Sequence, residues 1–408
     1  MTKEKGSSTL SSTEKKKSGG VSTCGVVSII VLSVVVFLLQ KAGNILSGLK
    51  GDTILSASQL QFAVSGFCLS PIPSMLLVPE RMRDDEGDSL KREFNETGDI
   101  NEDDYTKDSI YSLLYSMYQA FPTAPSPHGT FYQFTFNTWG ITDVGNPPVT
   151  WMRPETEPQR HGMAAYQGLT EFPAVKKLLK RTKNPKFLEI GCGTGAGANL
   201  ITQLLPTVDY TAVDMQKAAI KTCTEKHAVG NPRLHCMWVE GGVGNEGSKV
   251  AIPDASIDVV VISETHIAEA IIGNEEKAIF ADIIRVLKPN GIFVWGNALP
   301  TSVWNSAEEY LPKIGFESCG SLNHTKGAIV ARDEDKERVE MYIDYLLGQF
   351  PVMKFPFLGP RCHFVSDMLI KNFYRHPGTA LYEKMETGYD SYMHLCYVKG
   401  KDATEEIL

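Results

Sequence analysis

The segment Phe187-Leu188-Glu189-Ile190-Gly191-Cys192-Gly193-Thr194-Gly195-Ala196-Gly197 decides how this chain is read. Lys186–Ile190 has the length and composition of a buried strand, and it runs into three glycines spaced two apart. Glycines there let the backbone turn sharply and approach a ligand closely. A helix beginning at Ala196 adds its positive N-terminal end at the same place. A second apolar run, Tyr210–Asp214, closes on a carboxylate 19 residues beyond Gly195. An acid in that position is placed to accept both hydroxyl hydrogens of a ribose.

Outward from this point, Leu234–Val239, Ile257–Ser263 and Gly291–Asn297 also read as strands. Ala196–Leu205, Gln216–His227 and Asn274–Leu287 read as the helices between them. The alternation predicts an α/β fold whose parallel sheet is covered on both faces. Further on, Ser306–Ile314 reads as a helix, Phe316–Leu322 as a strand and Tyr392–Lys399 as a last, antiparallel strand. The segment 323–390 between those two strands is an insert rich in Phe, Tyr, Met and Pro. It suits a lid over an apolar substrate or a surface for a second copy of the chain.

The glycine pattern alone fits two chemistries. Gly191, Gly193 and Ala196 match the dinucleotide spacing G-x-G-x-x-[GA], and Gly191, Gly193 and Gly195 give G-x-G-x-G. The surrounding set separates them: Glu189 two residues before the first glycine, Asp214 at the next strand end, Pro253-Asp254-Ala255-Ser256-Ile257-Asp258, and Arg285-Val286-Leu287-Lys288-Pro289-Asn290-Gly291. In that order over 186–297, the chain resembles the class I S-adenosylmethionine-dependent methyltransferases, with their Rossmann-like seven-stranded sheet. Phe136-Asn137-Thr138-Trp139-Gly140 and Ala165-Tyr166-Gln167 resemble the sterol and phthiotriol-type lipid branch. The resemblance implies that the Gly191–Gly197 loop holds the methionine part of S-adenosyl-L-methionine, with Glu189 supporting the loop or the amino group. Asp214 would bind the ribose and Met215 lie against the adenine. One departure stands out: the family's usual acid after the third strand appears here as Gly242, with Glu240, Asn245 or Glu246 as substitutes.

An oxygen acceptor must lose a proton on methylation, and the fourth strand ends Ser263-Glu264-Thr265-His266. His266 is the candidate base, and Glu264 would orient it or receive the substrate hydroxyl. His161 is a second candidate base, read otherwise as a helix cap or a solvent-facing side chain. The aromatic run Phe131–Phe136 with Trp139 reads as a pocket wall or as an arm packed on the sheet.

The other segments are appendages. Residues 1–17 are a polar tail, and 18–41 are read as a transmembrane helix, with 23 consecutive uncharged residues from Ser18 to Gln40. Residues 42–108 are a hydrophobic arm and an acidic linker, 109–400 the catalytic domain and 401–408 a tail. The rival reading of 18–41 is a cleaved signal peptide. Five lysines precede the run, which by the positive-inside rule puts the N-terminus in the cytoplasm. The expectation is a single-pass endomembrane protein, with the side of the catalytic domain open. Asn95-Glu96-Thr97 and Asn323-His324-Thr325 are glycosylation sequons.

Of the 408 residues, 40 are Lys or Arg and 48 Asp or Glu, for a net charge of −8 and no basic stripe, which argues against a nucleic-acid partner. The eight cysteines stand singly with no metal-ligand spacing, so reduced thiols and no metal are expected. The reading is therefore a membrane-tethered methyltransferase acting at oxygen on a hydrophobic small molecule or lipid. The alternatives are a nicotinamide-dependent oxidoreductase and a non-catalytic methyltransferase-like domain that binds a lipid or a partner.

Overall fold

The computed structural model describes residues 123–125, 127, 131–133, 139–144, 159–239, 252–265, 277–354 and 359–400. The proposed membrane run 18–41, the linker, His266 and the Gly242 segment lie outside the described residues. No helix among the described residues is long and apolar enough to cross a membrane.

A two-stranded ribbon, β1 (Thr123–Pro125) and β2 (Phe131–Gln133), precedes two helices, α1 (Arg160–Thr170) and α2 (Pro173–Arg181). The alternating unit follows: β3 (Lys186–Ile190), α3 (Ala196–Leu204), β4 (Asp209–Asp214), α4 (Lys217–Thr222) and β5 (Leu234–Trp238). It continues as β6 (Ile257–Ser263), α5 (Lys277–Val286), β7 (Leu287–Pro300), α6 (Thr301–Lys313) and β8 (Phe316–Asn323). The insert is α7 (Thr325–Gly348), a 3-10 turn (Pro351–Lys354), α8 (Gly359–Phe373) and α9 (Ala380–Glu386), and β9 (Asp390–Lys399) closes the domain.

The seven-stranded sheet has the order β5-β4-β3-β6-β7-β9-β8, with β9 antiparallel to both neighbours. Strand order reverses between β3 and β6, so the crevice for a ligand opens at the carboxyl ends of these two strands. All seven residues of β6 are buried, as a central strand covered on both faces requires. Two apolar layers flank the sheet. One is built on α5 and α6, where Phe280, Phe293, Trp295 and Trp304 meet; the other is built on α1, α2 and α3.

The two motifs that follow the glycine loop in sequence serve the other end of the sheet. Asp258 Oδ2 accepts from the Lys186 backbone N–H and from Lys288 Nζ, both at 2.8 Å. Ala255 N donates to Arg285 O and Ser256 N to Val286 O, while Arg285 Nη1 reaches Asp254 Oδ1 at 2.7 Å. These residues lock the amino ends of β3, β6 and β7.

Several expectations are corrected. The helix expected over Gln216–His227 divides into α4 and a wider turn over Cys223–Ala228, at the point where Cys223 bonds to Cys236. A second disulfide joins Cys319 and Cys396, so four of the thiols expected to be reduced are paired. Their separations in sequence, 13 and 77 residues, carry no signal, because the sheet alone makes them neighbours. Cys192 is buried and free.

Phe280 is fully buried and lies edge-on to Phe293 (6.4 Å between centroids) and Tyr310 (5.7 Å). Phe280→Ala should lower stability by about 3–5 kcal/mol. Urea denaturation followed by tryptophan fluorescence checks this, since Trp295 and Trp304 report on the same layer.

Candidate active site

The glycine turn is held in place from below and from the side. The N–H groups of Gly191 and Cys192 both donate to Val213 O, at 2.9 and 3.0 Å, so the loop is anchored to the end of β4. Gly191, Gly193 and Gly195 have φ of 75°, 54° and 81°, values that favour glycine. Space adds a second constraint at two of them. A Cβ on Gly191 would lie 2.2 Å from Thr265 Oγ1, and one on Gly195 would lie 2.4 Å from Cys223 Sγ.

Asp214 grips the same turn. Its Oδ2 accepts from Gly193 N and its Oδ1 from Gln216 N, both at 2.8 Å. A carboxylate has about four acceptor sites, so each oxygen keeps one for a ligand hydroxyl. Burial pushes its pKa up to about 6. Met215 follows it on the rim, more exposed than most large apolar residues, and its carbonyl accepts from the Trp238 indole at 2.9 Å. Trp238 drew no attention in the sequence, although it ends the neighbouring strand opposite Asp214.

Glu189 is fully buried behind the turn. Tyr210 donates to its Oε2 at 3.1 Å. Its Oε1 makes no hydrogen bond of acceptable geometry, although the Tyr166 hydroxyl is near enough to act on it. Burial raises its pKa from 4.5 to about 8. The turn therefore offers a cation a buried acid with an open acceptor, a rim carboxylate and three glycines that leave backbone N–H groups approachable. These residues fit the amino group, ribose and adenine roles that the resemblance implies.

The acceptor side begins one residue away. The Thr265 hydroxyl reaches Ile190 O (3.3 Å) and Gly191 O (3.2 Å), tying the end of β6 to the glycine turn. The preceding residue, Glu264, has a left-handed φ of 49°. Its Oε1 accepts from Trp139 N at 2.7 Å and from Tyr392 OH at 2.9 Å, and Arg375 Nη2 stands 3.2 Å from its Oε2. Glu264 is thus a clamp joining the N-terminal arm, the last strand and the insert, rather than a side chain free to orient a base. His161 neither caps a helix nor faces water. It is buried in the first turn of α1, 3.1 Å from Glu334 Oε2, and burial with Arg160 nearby lowers its pKa to about 4.

His394, unnoticed in the sequence, is fully buried between Gly168 and Gly296, where a Cβ on either glycine would come within 2.9 Å of its ring. It lies edge-on to His324 at 4.5 Å, and burial lowers its pKa well below the usual value. Neither ring nitrogen has a hydrogen-bond partner among the described residues.

The buried acid sets a pH dependence. A carboxyl whose pKa is raised on folding favours the folded state at low pH, and that advantage is lost as pH rises from about 4.5 to about 8. Glu189→Gln removes the titration. The stability of the native protein relative to this variant should therefore fall across that window, by at most about 1.4 kcal/mol per pH unit. Thermal melts of the two proteins at matched pH values measure the difference, and parallel profiles would place the ionisation elsewhere.

Residues 187–291 match the family model described as a methyltransferase domain. The phthiotriol/phenolphthiotriol dimycocerosates methyltransferase of Mycobacterium tuberculosis is 31% identical over 118 residues, 29% of this chain and 39% of that protein. A fatty-acid O-methyltransferase of Mycolicibacterium smegmatis is 25% identical over 116 residues, 28% of this chain and 38% of that protein. Among solved structures, a Haemonchus contortus phosphoethanolamine N-methyltransferase 2 in complex with phosphomonomethylethanolamine and S-adenosylhomocysteine is 18% identical. It aligns with a TM-score of 0.40 over 61% of this chain and 59% of that one. The chain spans less than two thirds of the length of the curated relatives it matches. With the glycine turn, the strand-end acid and this match falling on one sheet edge, residues 187–291 form a class I methyltransferase domain whose cofactor is S-adenosylmethionine.

Proposed function

We propose that the chain methylates a hydrophobic small molecule or lipid, at oxygen, and that residues 18–41 tether it to the membrane holding that substrate. The observation that carries this reading is the adjacency of the two halves of the site. Thr265 braces the glycine turn while Glu264, next in the chain, gathers the arm, the insert and the last strand. Glu189, the Gly191–Gly197 turn, Asp214 and Met215 would hold the cofactor, which when bound supplies an electrophilic methyl group on a sulfonium. The remaining work falls to positioning and to excluding water. Trp139, Tyr392 and α7 close over the carboxyl edge, and Tyr392 is fully buried. The relatives' names, a lipid methyltransferase and a fatty-acid O-methyltransferase, support a hydrophobic acceptor methylated at oxygen. A self-association surface on the insert remains part of the proposal.

The full chain in detergent should bind S-adenosylhomocysteine by calorimetry, with Asp214→Ala weakening it about tenfold or more. Given a methyl-labelled cofactor and a membrane lipid extract, label should enter the organic phase. Binding of NADH without S-adenosylhomocysteine would favour an oxidoreductase. Cofactor binding with no label transfer to any lipid would favour the non-catalytic reading.

A further inference from the structure

The insert was expected to present an aromatic face to the substrate. Instead α7 turns a charged one inward. Arg332, Asp335 and Arg338, spaced three apart on one side of the helix, are 4%, 4% and 6% exposed. Arg338 forks onto both oxygens of Asp335, and Arg332 Nη2 shares Asp335 Oδ2 at 3.1 Å. Although burial pushes Asp335 up, Arg338 and Arg332 hold its carboxyl down at about 2, so it stays ionised. Arg332 Nε has no hydrogen-bond partner.

Besides Asp335, the charges acting most strongly on Arg332 are Arg338, Arg375 and Glu264. Together these are three guanidinium groups against two carboxylates. Asp335 answers one of the pair on α7 and Glu264 answers Arg375, which leaves one buried positive charge without a counterion. The neighbouring charges do not supply it. Glu334 is taken by Arg160 and His161 on the outer side, and Asp143 is taken by His324. A lone buried charge costs several kcal/mol, and a ligand of opposite charge removes that cost. Arg375 itself has a left-handed φ of 54° and lies 5.4 Å from the Trp139 ring centre, so both members of the Glu264–Arg375 pair are held in strained backbone.

We propose that Arg332, assisted by Arg375, binds a carboxylate on the acceptor, so that the substrate is a long-chain carboxylic acid and the product its methyl ester. The inference rests on the methyltransferase reading above and names the substrate class for it. A single planar anion matches both the one uncompensated charge and the flat guanidinium edge, whereas a phosphate monoester carries too much charge. The site lies beside Glu264, one residue from the brace on the glycine turn, within reach of the methyl donor. A carboxylate is already ionised at neutral pH, so no base is required. One carboxylate oxygen forms the new bond to the methyl carbon as the carbon–sulfur bond breaks and its electron pair stays on sulfur. Carboxylate and sulfonium become neutral ester and neutral thioether, and no proton is released.

The test uses the full chain in lipid nanodiscs with three probes of one chain length: palmitate, hexadecanol and hexadecyl phosphate. Calorimetry is run with and without S-adenosylhomocysteine, and products are identified by mass spectrometry. Palmitate should bind at least tenfold tighter than the other two and yield methyl palmitate. Arg332→Gln should lose at least tenfold in palmitate affinity while its S-adenosylhomocysteine affinity stays unchanged. Arg375→Gln, on a more exposed residue, gives a second reading should the buried substitution prevent folding. Equal binding of palmitate and hexadecanol, preference for the phosphate, or palmitate affinity unchanged in both variants overturns the proposal. Loss of S-adenosylhomocysteine binding in the native protein would sink the methyltransferase reading alone, because arginine-dependent palmitate binding is scored without it.

Discussion

Everything at the carboxyl edge depends on how β3 is tied to β4 beyond the last sheet pair. Two loop N–H groups converge on Val213 O, and the next residue, Asp214, reaches back with its carboxylate to Gly193 N. A strand end, a tight turn and the first turn of α3 become one rigid body, although no side chain in the turn itself packs against a core. Because Asp214 is buried, its bonds to backbone N–H groups act in a low dielectric and are stronger than they would be in water. The residue that resemblance assigns to the cofactor is thus also the one that shapes the site for it. Preorganisation and recognition share one carboxylate.

The sheet was legible because its signal is local. Apolar runs of five to seven residues ended by glycine, proline or acid specify strands whatever surrounds them, and all seven of the sheet's strands lie within a few residues of expectation. The cofactor half was legible for the same reason, since Glu189, the three glycines and Asp214 fall within 26 residues. The acceptor half was not. Its groups come from 139, 264, 332, 375 and 392–394, and only the folded sheet brings them together. Helix α7 shows why periodicity failed there. Its buried side mixes Ala328, Ala331 and Val339 with Arg332, Asp335 and Arg338, so no apolar stripe marks the inner face. His161 was misjudged on similar grounds, because its partner Glu334 lies far along the chain on that same helix.

Glu264 illustrates how a residue can be rightly singled out for the wrong work. A carboxylate at the end of a central strand suggests acid–base chemistry. In the fold its oxygens are committed to an amide, a phenol and a guanidinium from three separate segments. An acid so engaged organises its surroundings more than it exchanges protons. The chemistry then depends on what the surrounding positive groups attract.

The disulfides bear on where such a site can exist. Cys223 stands directly against the Gly195 turn, and its partner Cys236 is on β5; the other bridge joins β8 to β9, the strand that carries Tyr392 and His394. Cross-links of 13 and 77 residues are worth about 3 and about 4.5 kcal/mol on chain-entropy grounds. Much of the domain's stability is therefore conditional on its surroundings. In a glutathione-buffered compartment both bonds would be cut, and the turn would lose its backing while the sheet lost the staple on its last pair. Thiol chemistry of the surroundings, as well as membrane composition, would then determine on which face of a bilayer this domain could keep its shape.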